Sequence, residues 1–341
     1  MIVFKNIFLT LFIFGNVHGL FAQTITLDSL EKEKKRTLIN GEMHYSLGNG
    51  KTLVYSKPKL FGFITNLPKD AANIGSAIFN KQSVKPLIGI AASTTLLMFF
   101  DQDITDGFVD FAHKAGVDGS EKNVNLLKFK LGEKEVALFR LPANLNTAFY
   151  QLGQGFPSLA IGAGLYAYGK IHHDYRASST ASQLAESFIL MGFGTQLVKR
   201  ITGRQSPSDA TNRGGNWHFF PSFSEFQNNT PLYDAFPSGH MATLMSSVTI
   251  FAENYPEKRW IKPVGYSLSG LVCLSMINNK VHWASDYPLA IGMGYLCAKQ
   301  VVRRNRRVLT NTGVAKKKQG EFDYTINYIN GTIAPGFIYK F

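Results

Sequence analysis

The chain has 341 residues, 45% of them hydrophobic, and a formal net charge of +13 at pH 7. This length suffices for one large domain or two small ones, and the mean hydropathy of -0.04 is low for a polytopic membrane protein. The positive charge suits phosphorylated molecules or an anionic membrane surface. Zinc-finger, homeodomain and RNP-type patterns are absent from the sequence, so we do not expect a nucleic-acid partner.

The N-terminal residues have the three-part form of a secretory signal. Lys5 precedes an apolar run at 7–14, and the small residue Ala22 precedes a polar stretch. We expect residues 1–22 to be a signal peptide that exports the chain to a bacterial cell envelope, where it is periplasmic or membrane-associated. The alternative is an uncleaved membrane anchor. Residues 23–82 are expected to be a polar leader, extended or folded as a short hairpin at 23–60.

Six apolar runs predict a helical domain over residues 83–305. The runs cover residues 86–100, 156–168, 184–198, 241–251, 264–277 and 287–302. Residues 107–154 are expected to form two short helices. After 306 the sequence becomes basic and then alternates apolar and polar residues, which predicts strands in a tail at 306–341. The expected fold class is therefore all-α, a bundle of about six core helices with a short strand-like C-terminal tail.

Two residue types inside this domain suggest metal or redox chemistry at first sight. Asp101, Asp103 and Asp106 follow the first apolar run, but the glycine and glutamate of an EF-hand loop are missing, so we expect a solvated helix-capping turn. Cys273 and Cys297 lie in apolar runs and are expected to be buried free thiols. We therefore expect neither a metal site nor a cofactor.

The membrane topology is open at this stage. Each run has roughly 11 to 16 apolar residues, fewer than the about 20 that cross a bilayer. If all six spanned, the basic cluster at 303–307 would be cytoplasmic, and so would residues 23–85, which conflicts with a cleaved signal peptide. Either the first run does not span, or the protein is a periplasmic bundle that only touches the membrane, which is the interpretation we favour.

Residues 236–240, Phe-Pro-Ser-Gly-His, form the most informative stretch, a tight turn that leads into an apolar helix. Gly239 allows the backbone to approach a ligand closely. The N–H groups at a helix start favour an anion such as phosphate. Ser238 adds a hydroxyl donor, and His240 can carry a proton near neutral pH.

Two other stretches supply partners for this turn. Lys199 and Arg204 lie at a predicted helix end, where the structural alternative is a basic C-cap that offsets the helix dipole. His282 and Asp286 are four positions apart, so on a helix they share one face. A carboxylate bonded to one imidazole nitrogen makes the other nitrogen a better nucleophile.

The order of these motifs resembles the type 2 phosphatidic acid phosphatases, a superfamily that includes vanadium haloperoxidases and bacterial class A acid phosphatases. The shared pattern is Lys-x6-(Arg)-Pro, then Pro-Ser-Gly-His, then Ser-(Arg)-x5-His-x3-Asp, within residues 184–302. The resemblance implies that His282 is the nucleophile that forms a phosphohistidine. It also implies that Asp286 orients His282 and that His240 protonates the leaving alkoxide.

The resemblance also implies a phosphate-binding set, with two departures. The arginines of the first and third motifs fall at Ser206 and Met276 in this chain. Arginine grips phosphate in a bidentate way that lysine does not copy. Arg204 is the candidate substitute for the first and Lys280 for the second. The expected phosphate-binding residues are therefore Lys199, Arg204, Ser206, Ser238, Gly239 and Lys280.

These residues lead to one principal hypothesis and two alternatives. We expect an exported, metal-independent phosphatase that hydrolyses phosphomonoesters or diphosphates, of lipids or of small phosphoesters. The first alternative is a vanadate-dependent haloperoxidase, because the same kind of site binds vanadate. The second is a non-catalytic envelope protein that binds anionic lipid through the basic cluster at 303–307 on a degenerate phosphatase scaffold.

Overall fold

The computed structural model describes residues 36–48, 50–131, 134–310, 321–329 and 332–340, and it confirms a mostly helical fold. The helices are α1 (Gly62–Thr65), α2 (Leu67–Ile78), α3 (Val84–Lys114), α4 (Leu145–Gly153), α5 (Gly155–Ile171), α6 (Tyr175–Thr202), α7 (Phe223–Asn228), α8 (Gly239–Asn254), α9 (Ile261–Asn278) and α10 (Tyr287–Asn305). Short 3-10 turns lie at Lys81–Ser83, Thr230–Leu232 and Ala284–Asp286. The expected signal peptide at 1–22 lies outside the described residues.

Helix α8 lies at the centre of the bundle. It packs against α6, α9 and α10, and most of its side chains are buried. A Cβ at Gly294 of α10 would lie 2.3 Å from the carbonyl oxygen of Ala242 in α8, so glycine permits this close helix crossing. The main core cluster consists of Met191, Met241, Ala242, Val272, Met276, Ile277, Tyr287, Ala290, Cys297 and Val301. The motif turn at 236–240 therefore begins the most enclosed helix.

Helix α3 is longer than the apolar run that predicted it. It continues through Asp101 to Lys114, and Asp101 is fully buried. The expected solvated turn is therefore wrong for Asp101, because the helix continues and brings this carboxylate against Arg204. Asp103 remains exposed, where it pairs with Arg213.

The same helix changes the membrane expectation. Residues 81–114 form a helical segment of 34 residues that is long and apolar enough to cross a membrane, and none of its most apolar window is buried. Among the described residues this segment meets the length and composition criteria for a span. Ile88, Leu96, Phe99 and Phe100 are among its exposed apolar side chains. The apolar run at 86–100 is too short to span, but the helix that contains it is not.

Two antiparallel strands lie within residues 107–154, where only helices and polar turns were expected. The strands β4 (Asn123–Leu131) and β5 (Lys134–Pro142) pair as a hairpin, and α4 is the helix that follows. The two-helix prediction is therefore correct for residues 107–114, the end of α3, and for α4, and wrong for the hairpin between them. The sequence at 127–131, Leu-Lys-Phe-Lys-Leu, alternates with the period of two that is typical of a strand.

A small sheet joins the segment before the bundle to the segment after it. It contains β1 (Arg36–Ile39), β2 (Glu42–Ser46), β3 (Lys51–Ser56) and β6 (Arg307–Thr310), in that order and antiparallel throughout. Asn40 and Gly41 have positive φ of 48° and 77°, as a two-residue type I′ hairpin turn requires. The hairpin alternative for residues 23–60 is thus confirmed over its described part. Near the C-terminus, β7 (Glu321–Ile329) and β8 (Thr332–Lys340) form the hairpin that the alternating pattern predicted.

The basic cluster that follows α10 faces carboxylates of the same chain. Arg304 binds Glu186 with an N–O distance of 2.6 Å, and Arg306 binds Glu253 at 3.0 Å. Arg307 pairs with a glutamate of β2. These internal ion pairs leave less of the cluster's charge for an anionic lipid surface than the sequence suggested.

Candidate active site

The turn before α8 has the geometry of an anion site. Ser238 caps the helix, since its Oγ accepts a hydrogen bond from the N–H of Met241 at 3.3 Å. The side chain of Ser238 is fully buried. The first N–H groups of a helix, here those of Gly239 and His240, have no acceptor within the helix and carry its positive dipole end. The sequence prediction of a turn feeding a helix start agrees with this structure.

His282 is held by a main-chain oxygen that the sequence analysis did not anticipate. Its Nδ1 lies 2.7 Å from the carbonyl oxygen of Ala235, while the nearer oxygen of Asp286 is 3.6 Å away. A carbonyl oxygen can only accept a hydrogen bond, so Nδ1 carries the proton. In the neutral ring the other nitrogen, Nε2, then keeps its lone pair.

The local structure around His282 differs from the expected helix. His282 and Trp283 lie in an extended segment, and a 3-10 turn at Ala284–Asp286 precedes α10. The one-face helical arrangement of His282 and Asp286 is therefore wrong. Asp286 still lies beside the imidazole because its Oδ2 accepts a hydrogen bond from the Trp283 N–H at 2.7 Å, which fixes the turn.

His240 faces His282 across the site. The centroids of the two rings are 6.0 Å apart with an interplanar angle of 70°, and the ring of Tyr150 stacks on His240 at 4.8 Å. Burial lowers the pKa of His240 to about 3, and repulsion from the Lys199 ammonium, and from His282 whenever its ring is protonated, lowers this pKa further. His240 is therefore neutral near pH 7 when no anion is bound. A bound phosphate dianion would raise this pKa, because it opposes both electrostatic causes.

Lys199 lies in the last turn of α6 and is 6% exposed. Gly203, with φ of 53°, ends this helix in the left-handed conformation, and its N–H bonds the Lys199 carbonyl at 2.9 Å. The ammonium of Lys199 lies 3.4 Å from a carboxylate oxygen of Asp234. The expected phosphate-binding lysine thus faces an internal anion, which a phosphate group has to displace or share.

Arg204 has partners other than those expected. It is 1% exposed, and its guanidinium donates to Asp286 at 2.6 Å and to Asp101 at 2.7 Å. It also donates to the hydroxyl of Ser285 at 2.7 Å and to the carbonyl of Gly214 at 2.9 Å. Its Nε has no hydrogen-bond partner within the described part of the chain. Arg204 therefore forms ion pairs with two carboxylates, Asp101 and Asp286, the second of which lies beside His282.

The remaining predicted phosphate ligands contribute little charge. Ser206 is buried and Met276 is fully buried, with the Met276 sulfur 3.6 Å from the Oγ of Ser238. Lys280 is exposed and has a positive φ of 56°, and its carbonyl accepts a hydrogen bond from the N–H of Ser208. An apolar thioether thus stands where the motif places an arginine, and the Lys280 side chain lies at the surface.

Exposure indicates how a ligand reaches the site. His282, Ser238 and Lys199 are buried, whereas Asp234 and His240 are partly exposed. The site therefore opens on the side of His240. A separate cavity lies elsewhere in the fold and contains neither His240 nor His282. It is lined by Val109, His113, Gly116, Val117, Asp118, Gly119 and Asn278.

Four contributors to the site were missed from the sequence: Ala235, Asp234, Tyr150 and Asp101. The Ala235 contact is made by a backbone carbonyl, so no residue type could signal it. Asp234 and Tyr150 belong to no recognised motif. Asp101 did carry a signal, because an acidic residue that directly follows an apolar helical run is costly to bury unless it is paired.

The fold brings the three sequence motifs together: Lys199 at the end of α6, Ser238 and His240 at the start of α8, and His282 facing His240. Residues 180–308 match the family model of the PAP2 superfamily, which confirms the resemblance drawn from the motifs. The matched residues contain most of α6, all of α7 to α10 and all three motifs. Asp101 and Tyr150 lie outside them.

Two individual proteins are similar to this chain. It is 28% identical over 133 residues to lipid A 1-phosphatase from Porphyromonas gingivalis, a match that covers 38% of this chain and 30% of that protein. The match therefore spans less than a third of the relative's length. A solved transmembrane PAP2 type phosphatidylglycerolphosphate phosphatase from Bacillus subtilis aligns over 71% of this chain and 94% of that one, with 13% identity and a TM-score of 0.29.

Proposed function

We propose that this protein is a phosphatase that hydrolyses phosphorylated lipids through a phosphohistidine at His282. The observation that carries the proposal is the hydrogen bond from Nδ1 of His282 to the Ala235 carbonyl. It leaves Nε2 as the unprotonated nitrogen, on a ring that faces His240 at 6.0 Å. A nucleophile thus faces a separate proton carrier that lies in the first turn of a helix whose N-terminus favours phosphate.

The first half-reaction transfers the phosphoryl group to the chain. The N–H groups at the start of α8, the Ser238 hydroxyl and the Lys199 ammonium hold the phosphate oxygens. Nε2 of His282 attacks phosphorus, so a P–N bond forms while the bond from phosphorus to the lipid oxygen breaks. His240, protonated in the presence of the phosphate dianion, gives its proton to the departing alkoxide.

The second half-reaction regenerates His282. The now neutral His240 accepts a proton from a water molecule, whose oxygen attacks phosphorus as the P–N bond breaks. Inorganic phosphate leaves and His282 recovers its lone pair. The carboxylate of Asp286, 3.6 Å from Nδ1, stabilises the positive charge that the ring carries while it is phosphorylated.

The charge of the site sets the expected strength of the reaction. Both arginines of the family pattern are replaced, and each lost charged contact weakens phosphate binding by about 2–4 kcal/mol. Arg204 is neutralised by two carboxylates and Lys199 faces Asp234. We therefore propose weak binding of free phosphate, with the lipid portion of the substrate contributing much of the affinity. The same shortage of cations weighs against tight vanadate binding and so against a haloperoxidase.

The lipid class of the substrate rests on two observations. The segment 81–114 is long and apolar enough to place the protein in a membrane, where lipid phosphates are concentrated. The similar protein from Porphyromonas gingivalis is a lipid A 1-phosphatase. We propose a membrane-bound protein of the cell envelope whose site faces the outer side, in line with the export signal expected at 1–22.

Hydrolysis by the purified full-length protein in detergent tests this proposal. The substrates are phosphatidic acid, lipid A and the soluble ester p-nitrophenyl phosphate. We expect release of phosphate from at least one lipid, a loss of about a thousandfold or more in His282→Ala, and no loss in a variant of the exposed His172. Undiminished hydrolysis by His282→Ala would overturn the role of His282.

A lipid-binding protein without turnover is the second candidate. The ion pair between Lys199 and Asp234 favours it, because the lysine meets an internal carboxylate in place of a phosphate. In that case phosphatidic acid binds to the wild-type protein and to His282→Ala with equal affinity, and neither releases phosphate.

A further inference from the structure

The structure contains a buried ion network that ties α3 to the turn that carries His282. Asp101 of α3 accepts a hydrogen bond from the Ser285 N–H at 2.9 Å through Oδ1 and from Arg204 at 2.7 Å through Oδ2. Arg204 also donates to Asp286 at 2.6 Å. All three charged side chains are at most 1% exposed.

The four carboxylate oxygens of this network all have partners. Those of Asp101 bind the Ser285 N–H and Arg204, while those of Asp286 bind Arg204 and the Trp283 N–H. Arg204 lies between two carboxylates that would otherwise repel each other. The network carries a net charge of -1 behind His282, and the rigid fork of the guanidinium fixes the direction of both carboxylates.

We propose that Asp101 is a positioning residue for the reaction: it holds Arg204, and through Arg204 it holds Asp286 and the turn at Ala284–Asp286 behind His282. This inference rests on the proposed function. If Asp101 has this role, α3 contributes a residue to the support of the reaction centre. This is the helix that is apolar enough to span a membrane. Asp101 lies outside residues 180–308. The segment that matches the family therefore lacks one of the residues that we propose to position His282.

The chain offers a matched control for this inference. Asp103, two positions along α3, pairs with Arg213 from the loop that follows Arg204. This second ion pair also joins α3 to that loop, but its two side chains are 61% and 64% exposed. An ion pair exposed to solvent is screened and contributes little. Asp103→Asn therefore removes a charge from the same helix without touching the buried network.

The first test compares Asp101→Asn with Asp103→Asn in the full-length protein, with the lipid substrate that the wild type hydrolyses. Asn keeps the size of Asp but removes the charge that holds Arg204. We expect kcat to fall by about 10- to 100-fold in Asp101→Asn, the range found for groups that orient metal-binding side chains and taken here for a group that orients a reacting histidine. KM should stay within about twofold, because Asp101 does not touch the substrate. Asp103→Asn should leave both constants unchanged.

A second measurement separates this inference from the proposed function. Hydrogen exchange is followed at the N–H groups of Trp283 and Ser285, which donate to Asp286 and Asp101. We expect exchange at both sites to accelerate at least tenfold in Asp101→Asn and not in Asp103→Asn. If the wild type shows no hydrolysis, the proposed function fails, and this measurement still tests the positioning.

A milder variant covers the case in which Asp101→Asn does not fold. Ser285→Ala removes one hydroxyl that accepts from Arg204 and should lower kcat about two- to fivefold with the same selective increase in exchange. Three results would overturn the inference: equal behaviour of the Asp101 and Asp103 variants, a change in KM alone, or faster exchange spread evenly over the bundle.

Discussion

The Nδ1 atom of His282 lies 2.7 Å from the carbonyl oxygen of Ala235. Ala235 directly precedes the turn at 236–240, so this hydrogen bond joins the second and third motifs through the backbone. The residue that carries the nucleophile and the turn that binds phosphate are therefore held in a fixed relation. Asp286, expected to be the orienting group, acts at 3.6 Å and chiefly fixes the turn at Ala284–Asp286.

The ion pair between Lys199 and Asp234 predicts that the carboxylate competes with substrate phosphate. Asp234→Asn removes that competitor, so the KM for a phosphate ester should fall about two- to fivefold. This factor corresponds to the energy of a partly exposed ion pair, which is at most about 1 kcal/mol. Steady-state kinetics measures the change. Asp209→Asn, in the same loop, is the control and should leave KM unaltered. An increase in KM for Asp234→Asn would show that Asp234 assists binding.

The burial of Met276 predicts the effect of restoring the family's arginine there. Met276→Arg places a charge in a fully buried position, so without phosphate we expect the thermal midpoint to fall by about 5–10 °C. Saturating phosphate should recover most of this loss, because the guanidinium then has an anionic partner. Met276→Leu, which conserves volume, should change the midpoint little and show no added response to phosphate. If phosphate shifts the thermal midpoint of both variants equally, a side chain at position 276 does not contact the bound phosphate.

The lowered pKa of His240 predicts a dependence of stability on pH. Its pKa is about 3 in the folded protein, because of burial and then the charges of His282 and Lys199, against an ordinary value of 6.5. Between these values the unfolded chain binds a proton that the folded chain does not, so stability falls as the pH drops from about 6.5 towards 3.

The comparison with His240→Gln measures this contribution. The variant lacks the titrating group, so its free energy of unfolding should fall less steeply with pH, by a difference on the order of 4 kcal/mol at pH 3. His172→Gln, at an exposed position, should follow the wild-type curve. Parallel curves for the wild type and His240→Gln would contradict the neutral state of the half-buried His240.

The exposed apolar surface of α3 predicts membrane insertion. Phe99 is 74% exposed, and an aspartate at the centre of a membrane helix costs about 3 kcal/mol. Phe99→Asp should therefore release a large share of the protein from membranes on alkaline extraction. Trp260→Asp, at another exposed position, is the control and should remain with the membrane fraction. Unchanged retention of Phe99→Asp would show that α3 does not contact lipid.

The parts of the site that the sequence predicted are those encoded within a few residues. The turn at 236–240 depends on Pro, Ser and Gly chemistry, and Gly203 ends α6 as its sequence context indicated. Lys199 and His282 follow from motif spacing. These features are local, so they do not depend on how the bundle packs.

The parts that could not be predicted arise from contacts between distant segments. Asp101 and Arg204 are 103 residues apart, and nothing in either local sequence indicates that they meet. The same is true of the pairing between β3 and β6, which joins segments that the sequence analysis kept separate. Arg204 was expected to bind phosphate in place of the motif arginine that is absent at position 206, but in the fold it binds two buried carboxylates.

The most direct test of the central claim is to trap the phosphorylated chain. The full-length protein is mixed with its lipid substrate for a few seconds and quenched in alkali, which preserves phosphohistidine, and its peptides are analysed by mass spectrometry. We predict a single phosphoryl group on the peptide that contains His282, absent in His282→Ala and retained in Asp103→Asn. Phosphate release without any phosphorylated His282, or a phosphoryl group on another residue, would contradict the account.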